Sequence, residues 1–150
     1  YAFQGMGEEG LEILAEARRL ADDGADVIDV GCEPEGPWAG VAETVRALRE
    51  AGHRVSIDSL DPREIEPAAR AGAELVLSVN GSNRGAALDW GCEVVVVPDD
   101  PRTLAGLDET VDQLATAGVR LRIDPVLERI RALAVACLLA AGVLLTFVFT

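Results

Sequence analysis

The sequence predicts an α/β fold with a parallel sheet, and three observations carry that prediction. Short apolar segments (ADVIDVG, RVSID, ELVLSVN, EVVVV and VRLRID) alternate with amphipathic stretches. The units are about 20 to 30 residues long, as consecutive right-handed βαβ units require. Glycines at 24, 52, 72 and 118 close the amphipathic stretches, where a helix usually gives way to a turn. Finally, the apolar segments run into polar residues: DVIDVG into CEP, RVSID onto Asp58, ELVLSVN onto Asn80 and VRLRID onto Asp124. Parallel sheets bind ligands beyond the carboxyl ends of their strands, so these polar ends form the candidate site.

Leu11, Leu14, Ala17, Arg18 and Ala21 keep a spacing of three and four from Glu8 to Asp23, which predicts a helix ended by Gly24. A strand comes next, then the Gly/Pro-rich loop EPEGPWAG. Val41, Val45 and Leu48 mark a second helix. After RVSID, Asp61, Pro62 and Glu64 stand at the N-cap, N1 and N3 positions of a third helix and suggest a capping box; Ile65, Ala68 and Ala69 form its buried side. A short helix near Gly85 to Trp90, the strand EVVVV, a break at PDDP, a helix through Leu107, Val111, Leu114 and Ala115, and the strand VRLRID complete the alternation.

At 150 residues the chain has the length of one domain. A complete eight-stranded βα barrel takes about 250 residues, so the fold is either a smaller α/β sheet or part of something longer. The 26 acidic residues outnumber the 13 basic ones, all of them Arg, for a net charge of −13. That balance repels phosphate backbones and argues against nucleic acid as a partner. Cysteines at 32, 92 and 137 show no CxxC spacing, and His53 stands alone, so no structural zinc is expected. Packed, reduced cysteines in a cytosolic protein are expected instead, with Cys32 set apart by its place at a strand end.

Every charged residue lies at or before Arg131, and residues 132–150, ALAVACLLAAGVLLTFVFT, are apolar throughout. As a helix they would span about 29 Å, the thickness of a bilayer core. Residues 131–150 are therefore predicted to form a transmembrane segment attached to a domain at 1–130. Arg129 and Arg131 would hold its amino-terminal end in the cytoplasm. A buried terminal helix and a shifted reading frame are the alternatives. Residues 1–23 are amphipathic and acidic, unlike a signal peptide, and the start YAFQGMGEEG fits a fragment.

As a set, GADVIDVGCEP, VSIDSLDP, AGAELVLSVNGSN and RIDP resemble the pterin-binding, dihydropteroate synthase-like family, over roughly residues 8–130. LSVNGSNR, VVVVPDDP, LDETVD and RIDPVLE are most similar to the members found in organisms that use tetrahydromethanopterin. The resemblance implies a (β/α)8 barrel, here partial with about five parallel strands, and a pterin as substrate or ligand in its mouth. No covalently bound cofactor is implied; magnesium would belong to a complete homologue. In the family's reaction an arylamine displaces diphosphate from a hydroxymethylpterin.

The resemblance also assigns Asp58, Asn80 and Asp124 to the pterin edge. The chemistry agrees, because adjacent N–H donors of an aminopyrimidinone suit a carboxylate, and an amide both donates and accepts. Asp29, Glu33, Asn83 and Arg84 are further candidates: Asp29 inside its strand, Glu33 in the following loop, and Asn83 with Arg84 near a ligand's charged end or in a surface turn. Trp38 and Trp90 are expected to pack beneath loops more than to stack on a ligand.

The chain lacks the amino-terminal diphosphate and metal loop of the folate enzyme, and the later Lys and Arg that hold pterin and anion. It is therefore expected to be a partial pterin-binding barrel, a dihydropteroate synthase-like transferase by resemblance that lacks the full active site and so independent synthase activity. The alternatives are the pterin domain of a corrinoid-dependent methyltransferase, which shares the Asp, Asn and Asp positions, and a non-catalytic, membrane-tethered fragment. If the acidity is a salt adaptation, the melting temperature should rise from low to molar salt; a flat or falling profile in thermal melts would reject that origin.

Overall fold

The computed structural model describes residues 8–31 and 37–125. Helices α1 (Glu8–Asp22), α2 (Val41–Glu50), α3 (Pro62–Ala71), α4 (Arg84–Ala87) and α5 (Leu107–Thr116) alternate with strands β1 (Ile28–Gly31), β2 (Val55–Asp58), β3 (Leu75–Val79), β4 (Glu93–Val96) and β5 (Leu121–Ile123). The five strands form one sheet, all parallel, in the order β1-β2-β3-β4-β5. A doubly wound sheet reverses its order at a switch point, whereas a barrel adds each strand beside the last. The unbroken order is that of five consecutive strands of a partial βα barrel.

Side chains alternate across a strand, and the described helices pack on one face of the sheet. Ile28, Val30, Val55, Ile57, Val76, Val79, Val94 and Val96 are buried in the core that also holds Val45, Leu48, Ile65, Ala68 and Leu114 from the helices. The other face, which would line a barrel interior, carries Asp29, Gly31 and Asp58 in the open and Leu75, Leu77 and Val95 half-buried. One irregularity matters for the site. β3 inserts an extra residue against β4, because Val76 pairs with Val94 but Val79 pairs with Val96. Such a bulge bends the strand and re-aims the side chain it carries.

At the end of α3, Gly72 takes a φ of 112° and the amide of Ala73 bonds back to the carbonyl of Ala68 at 3.0 Å. A side chain at that φ would be strained, so the glycine sets the turn into β3.

Three local expectations need correction. In α1, Leu11 and Arg18 are exposed and the stripe turned to the core runs through the buried Ala17 and the half-buried Ile13, Leu14 and Leu20, because the helix packs mainly on α2 and β1. The short helix before Trp90 is a single turn, α4, and Trp90 itself is buried in the core. Asp61 does cap α3, accepting from the amide of Arg63 at 2.9 Å, but Glu64 does not close a capping box. The Asp61 amide donates instead to the Ser59 hydroxyl at 3.0 Å, which releases Glu64 for longer-range contacts. The apolar segment at 131–150 lies outside the described residues. Among the described residues, no helix is long and apolar enough to cross a membrane.

Glu64 is buried, with Oε1 accepting from the Trp38 amide at 2.7 Å and Oε2 from the Ser59 hydroxyl at 2.5 Å. It therefore ties the β1–α2 loop to the β2–α3 loop. Asp61→Ala removes one exposed N-cap acceptor and is expected to lower stability only slightly. Glu64→Ala strands two polar groups and should cost about 2–4 kcal/mol in urea unfolding. Equal costs would contradict this division of labour.

Candidate functional site

Ile28, Val30, Ile57 and Val79 point into the helix-covered core, so the alternation of the strands turns Asp29, Asp58 and Asn80 to the opposite face. Ile123 pairs with Val96, and the Asp124 amide donates to the Val96 carbonyl at 2.9 Å. The Val97 amide donates to the Val79 carbonyl at 2.8 Å. Asn80, Val97 and Asp124 thus stand in one row at the carboxyl edge of the sheet. Asp58, the last residue of β2, faces Gly31, and Asp29 lies two residues deeper opposite Ser56. Four predicted residues therefore share one surface.

Each of two carboxylates is held by a serine on the next strand. Ser56 Oγ donates to Asp29 Oδ1 at 2.7 Å, and Ser78 Oγ donates to Asp58 Oδ1 at 2.6 Å. Ser78 belongs to the bulge, which is how it comes to lie against Asp58. The Oδ2 atom of Asp58 has no partner among the described residues. Among the described residues, a Cβ at Gly31 would meet nothing within 4 Å, so these leave open space beside Asp58. Although Asp29 is exposed as a residue, its carboxyl is part-buried against Ser56, and the loss of water there raises its pKa above the ordinary value; the Ser56 hydroxyl opposes that shift, and the charge of Asp58 adds to it.

Asn80 is buried at the start of a turn. Its Oδ1 accepts from the amide and the hydroxyl of Ser82 at 2.9 and 2.7 Å. A backbone N–H can meet only the oxygen, so the amide nitrogen is turned the other way, and it has no partner among the described residues. Asn80 is thus a donor at this site, rather than the donor and acceptor its residue type allows.

Asn83 and Arg84 serve other ends. Asn83 is buried, and its Oδ1 accepts from the Asn80 amide at 3.0 Å while Nδ2 donates to the carbonyls of Ser78 and Leu60 at 3.0 and 3.3 Å. It is neither a surface turn nor turned to a ligand, because three backbone groups occupy its amide. Arg84 reaches Thr110 of α5 at 3.2 Å. Glu33 and Cys32 lie outside the described residues. Trp38 is half-buried against the core, in keeping with packing beneath a loop.

Sequence reasoning missed Glu64, Ser78 and Asp99. Asp99 accepts from the Gly81 amide at 2.7 Å and so joins the loop after β4 to the loop after β3. Only the run VVVVPDDP, a polar turn directly after a strand, hinted at it. Among the described residues, no group of three or more His, Cys, Asp or Glu side chains is arranged to hold a metal ion.

Residues 3–117 match the family of pterin binding enzymes. An uncharacterised protein of Methanocaldococcus jannaschii is 29% identical over 126 residues, which are 73% of this chain and 24% of that protein. Among solved structures, the Burkholderia cenocepacia dihydropteroate synthase complexed with 7,8-dihydropteroate is 25% identical with a TM-score of 0.62, covering 77% of this chain and 54% of that one. The Thermus thermophilus dihydropteroate synthase in complex with 4-aminobenzoate is 25% identical at a TM-score of 0.62, covering 84% and 64%. The Xanthomonas albilineans synthase with 7,8-dihydropteroate has the same fold at a TM-score of 0.70 and 23% identity, over 93% and 63%. The chain therefore spans about a quarter of the curated relative's length, and less than two thirds of each of these synthases.

The raised Asp29 pKa has a consequence for stability. The folded protein keeps this proton to a higher pH than the unfolded chain does. The stability it contributes is present at acid pH and is lost as pH rises from the usual carboxylate range through the raised folded value. Asp29→Asn stays neutral and escapes that loss. Its unfolding free energy relative to the parent chain should therefore climb as pH rises from the usual carboxylate range through the raised folded value. A difference that stays constant across this range in urea titrations would contradict the assignment.

Proposed function

This chain belongs to the family of pterin-binding enzymes, and we propose that its open sheet face holds the aminopyrimidinone edge of a pterin for dihydropteroate synthase-like chemistry. One observation carries the reading. A row of acceptors and one oriented donor lies along the carboxyl edge of the sheet, and the described residues leave open space beside Asp58 at Gly31. Asp58, through its unpartnered Oδ2, and Asp124 would accept from adjacent ring and exocyclic N–H groups. Asn80 would donate from its amide nitrogen to a ring acceptor. Carboxylates held on strand ends need little rearrangement to bind, which favours a flat, rigid heterocycle.

The residues' part in such chemistry is to bind and orient. In the synthase reaction the arylamine nitrogen bonds to the exocyclic methylene of the pterin as the C–O bond to diphosphate breaks. Asp58 and Asp124 would keep that methylene aimed out of the mouth by fixing the opposite edge of the ring. The role proposed for Asp58, Asn80 and Asp124 is accordingly the pterin half of such a site.

Calorimetry on the full chain tests the reading. Hydroxymethylpterin diphosphate should bind, and Asp58→Ala and Asp124→Ala should each lower its affinity by roughly a hundredfold, from the loss of two charge-assisted hydrogen bonds at about 1.5 kcal/mol each. Unchanged affinity in both variants would remove these residues from the site. Preferential binding of a methylated tetrahydropterin would instead select the methyltransferase reading.

A further inference from the structure

We propose that Asp99 is a positioning residue that sets the orientation of the Asn80 amide; the inference rests on the pterin reading of the site. Asp99 comes after β4, and its own amide donates to the Ala105 carbonyl at 2.9 Å, closing the loop that leads to α5. Its carboxylate leans across to the neighbouring loop, where Oδ1 accepts from the Gly81 amide at 2.7 Å. Room for it exists only because glycines flank it on both loops. A Cβ at Gly81 would lie 2.9 Å from each carboxylate oxygen, and one at Gly106, where φ is 74°, would lie 2.0 Å from Oδ2. Two glycines on separate loops thus make a seat for one carboxylate.

The seat fixes the path of the chain into Ser82. That serine, directly after Gly81, supplies the amide and hydroxyl that capture Asn80 Oδ1, and this capture turns Asn80 Nδ2 away from Ser82. The Asn80 backbone amide is held separately by Asn83, so the strand end stays anchored when Asp99 is removed. Release of the Gly81 peptide therefore frees the Ser82 donors, and with them the direction of the Asn80 side chain, while β3 keeps its place. The carboxylate acts here as a hydrogen-bond acceptor. An amide oxygen at the same position would serve equally well.

Two readouts on the full chain test this. In binding titrations with 7,8-dihydropterin, Asp99→Ala should weaken affinity by about tenfold, whereas Asp99→Asn, which keeps an oxygen for the Gly81 amide, should stay within about threefold of the parent chain. In NMR spectra without ligand, Asp99→Ala should shift both the Gly81 amide proton and the Asn80 side-chain amide toward random-coil positions. Parent-like affinity in Asp99→Ala, or an Asp99→Asn variant as weak as Asp99→Ala, would overturn the positioning role. Unmoved Asn80 amide signals in Asp99→Ala would overturn it too. A parent chain that binds no pterin would defeat the functional reading instead, and the ligand-free spectra would still decide whether Asp99 orients Asn80.

Discussion

Ile57, Val76 and Val94 form a row across the three central strands, paired in register and wholly shielded from water. Helix residues Leu48, Ile65 and Leu114, equally buried, complete the core around them. Each such side chain contributes about 1.5–3 kcal/mol on leaving water, and its position in the strand sets the direction of its neighbours. With Ile57 turned to the helices, Asp58 has to face the other way. A slip of one residue would bury Asp58 and expose Ile57, so the apolar row specifies the polar face.

Strand hydrogen bonds end where the site begins, and side chains take over the pairing of the backbone there. Glu64 holds Trp38 and Ser59, Asn83 holds Leu60, Ser78 and Asn80, and Asp99 holds Gly81. These three residues link the loops after β1, β2, β3 and β4 in succession. The mouth is thus a set of loops braced against one another on a rigid sheet, an arrangement suited to holding a small planar ligand in one orientation.

Charge is distributed unevenly over this frame. Arg19, Arg49, Arg54, Arg63, Arg70 and Arg122 pair with Glu16, Asp23, Glu74, Asp61, Glu66 and Glu93, away from the carboxyl edge or on outer helices. Such exposed pairs add little stability. Among the described residues none of them engages Asp29 or Asp58, whose carboxylates accept from neutral donors, chiefly the hydroxyls of Ser56 and Ser78. Neutral donors bring no positive charge beside these two carboxyl groups, in keeping with the N–H-rich ligand edge proposed for the site.

The sequence by itself determined the alternation of helices and strands, the parallel sheet and the residues at the strand ends. Those features depend on periods of two and three to four residues and on glycine stops, which are local properties of the chain. It also marked Asp58, Asn80 and Asp124, since a polar residue directly after an apolar strand stands out in any parallel sheet. Only the tertiary structure decided the partners. The bulge that brings Ser78 to Asp58, the redirection of Glu64 from its own helix cap to Trp38, and the burial of Asn83 between two loops all involve contacts across neighbouring strands and loops. Which donor meets which acceptor over such distances depends on strand register and loop path. A single residue inserted in β3 changes both, and no local pattern in the chain records it.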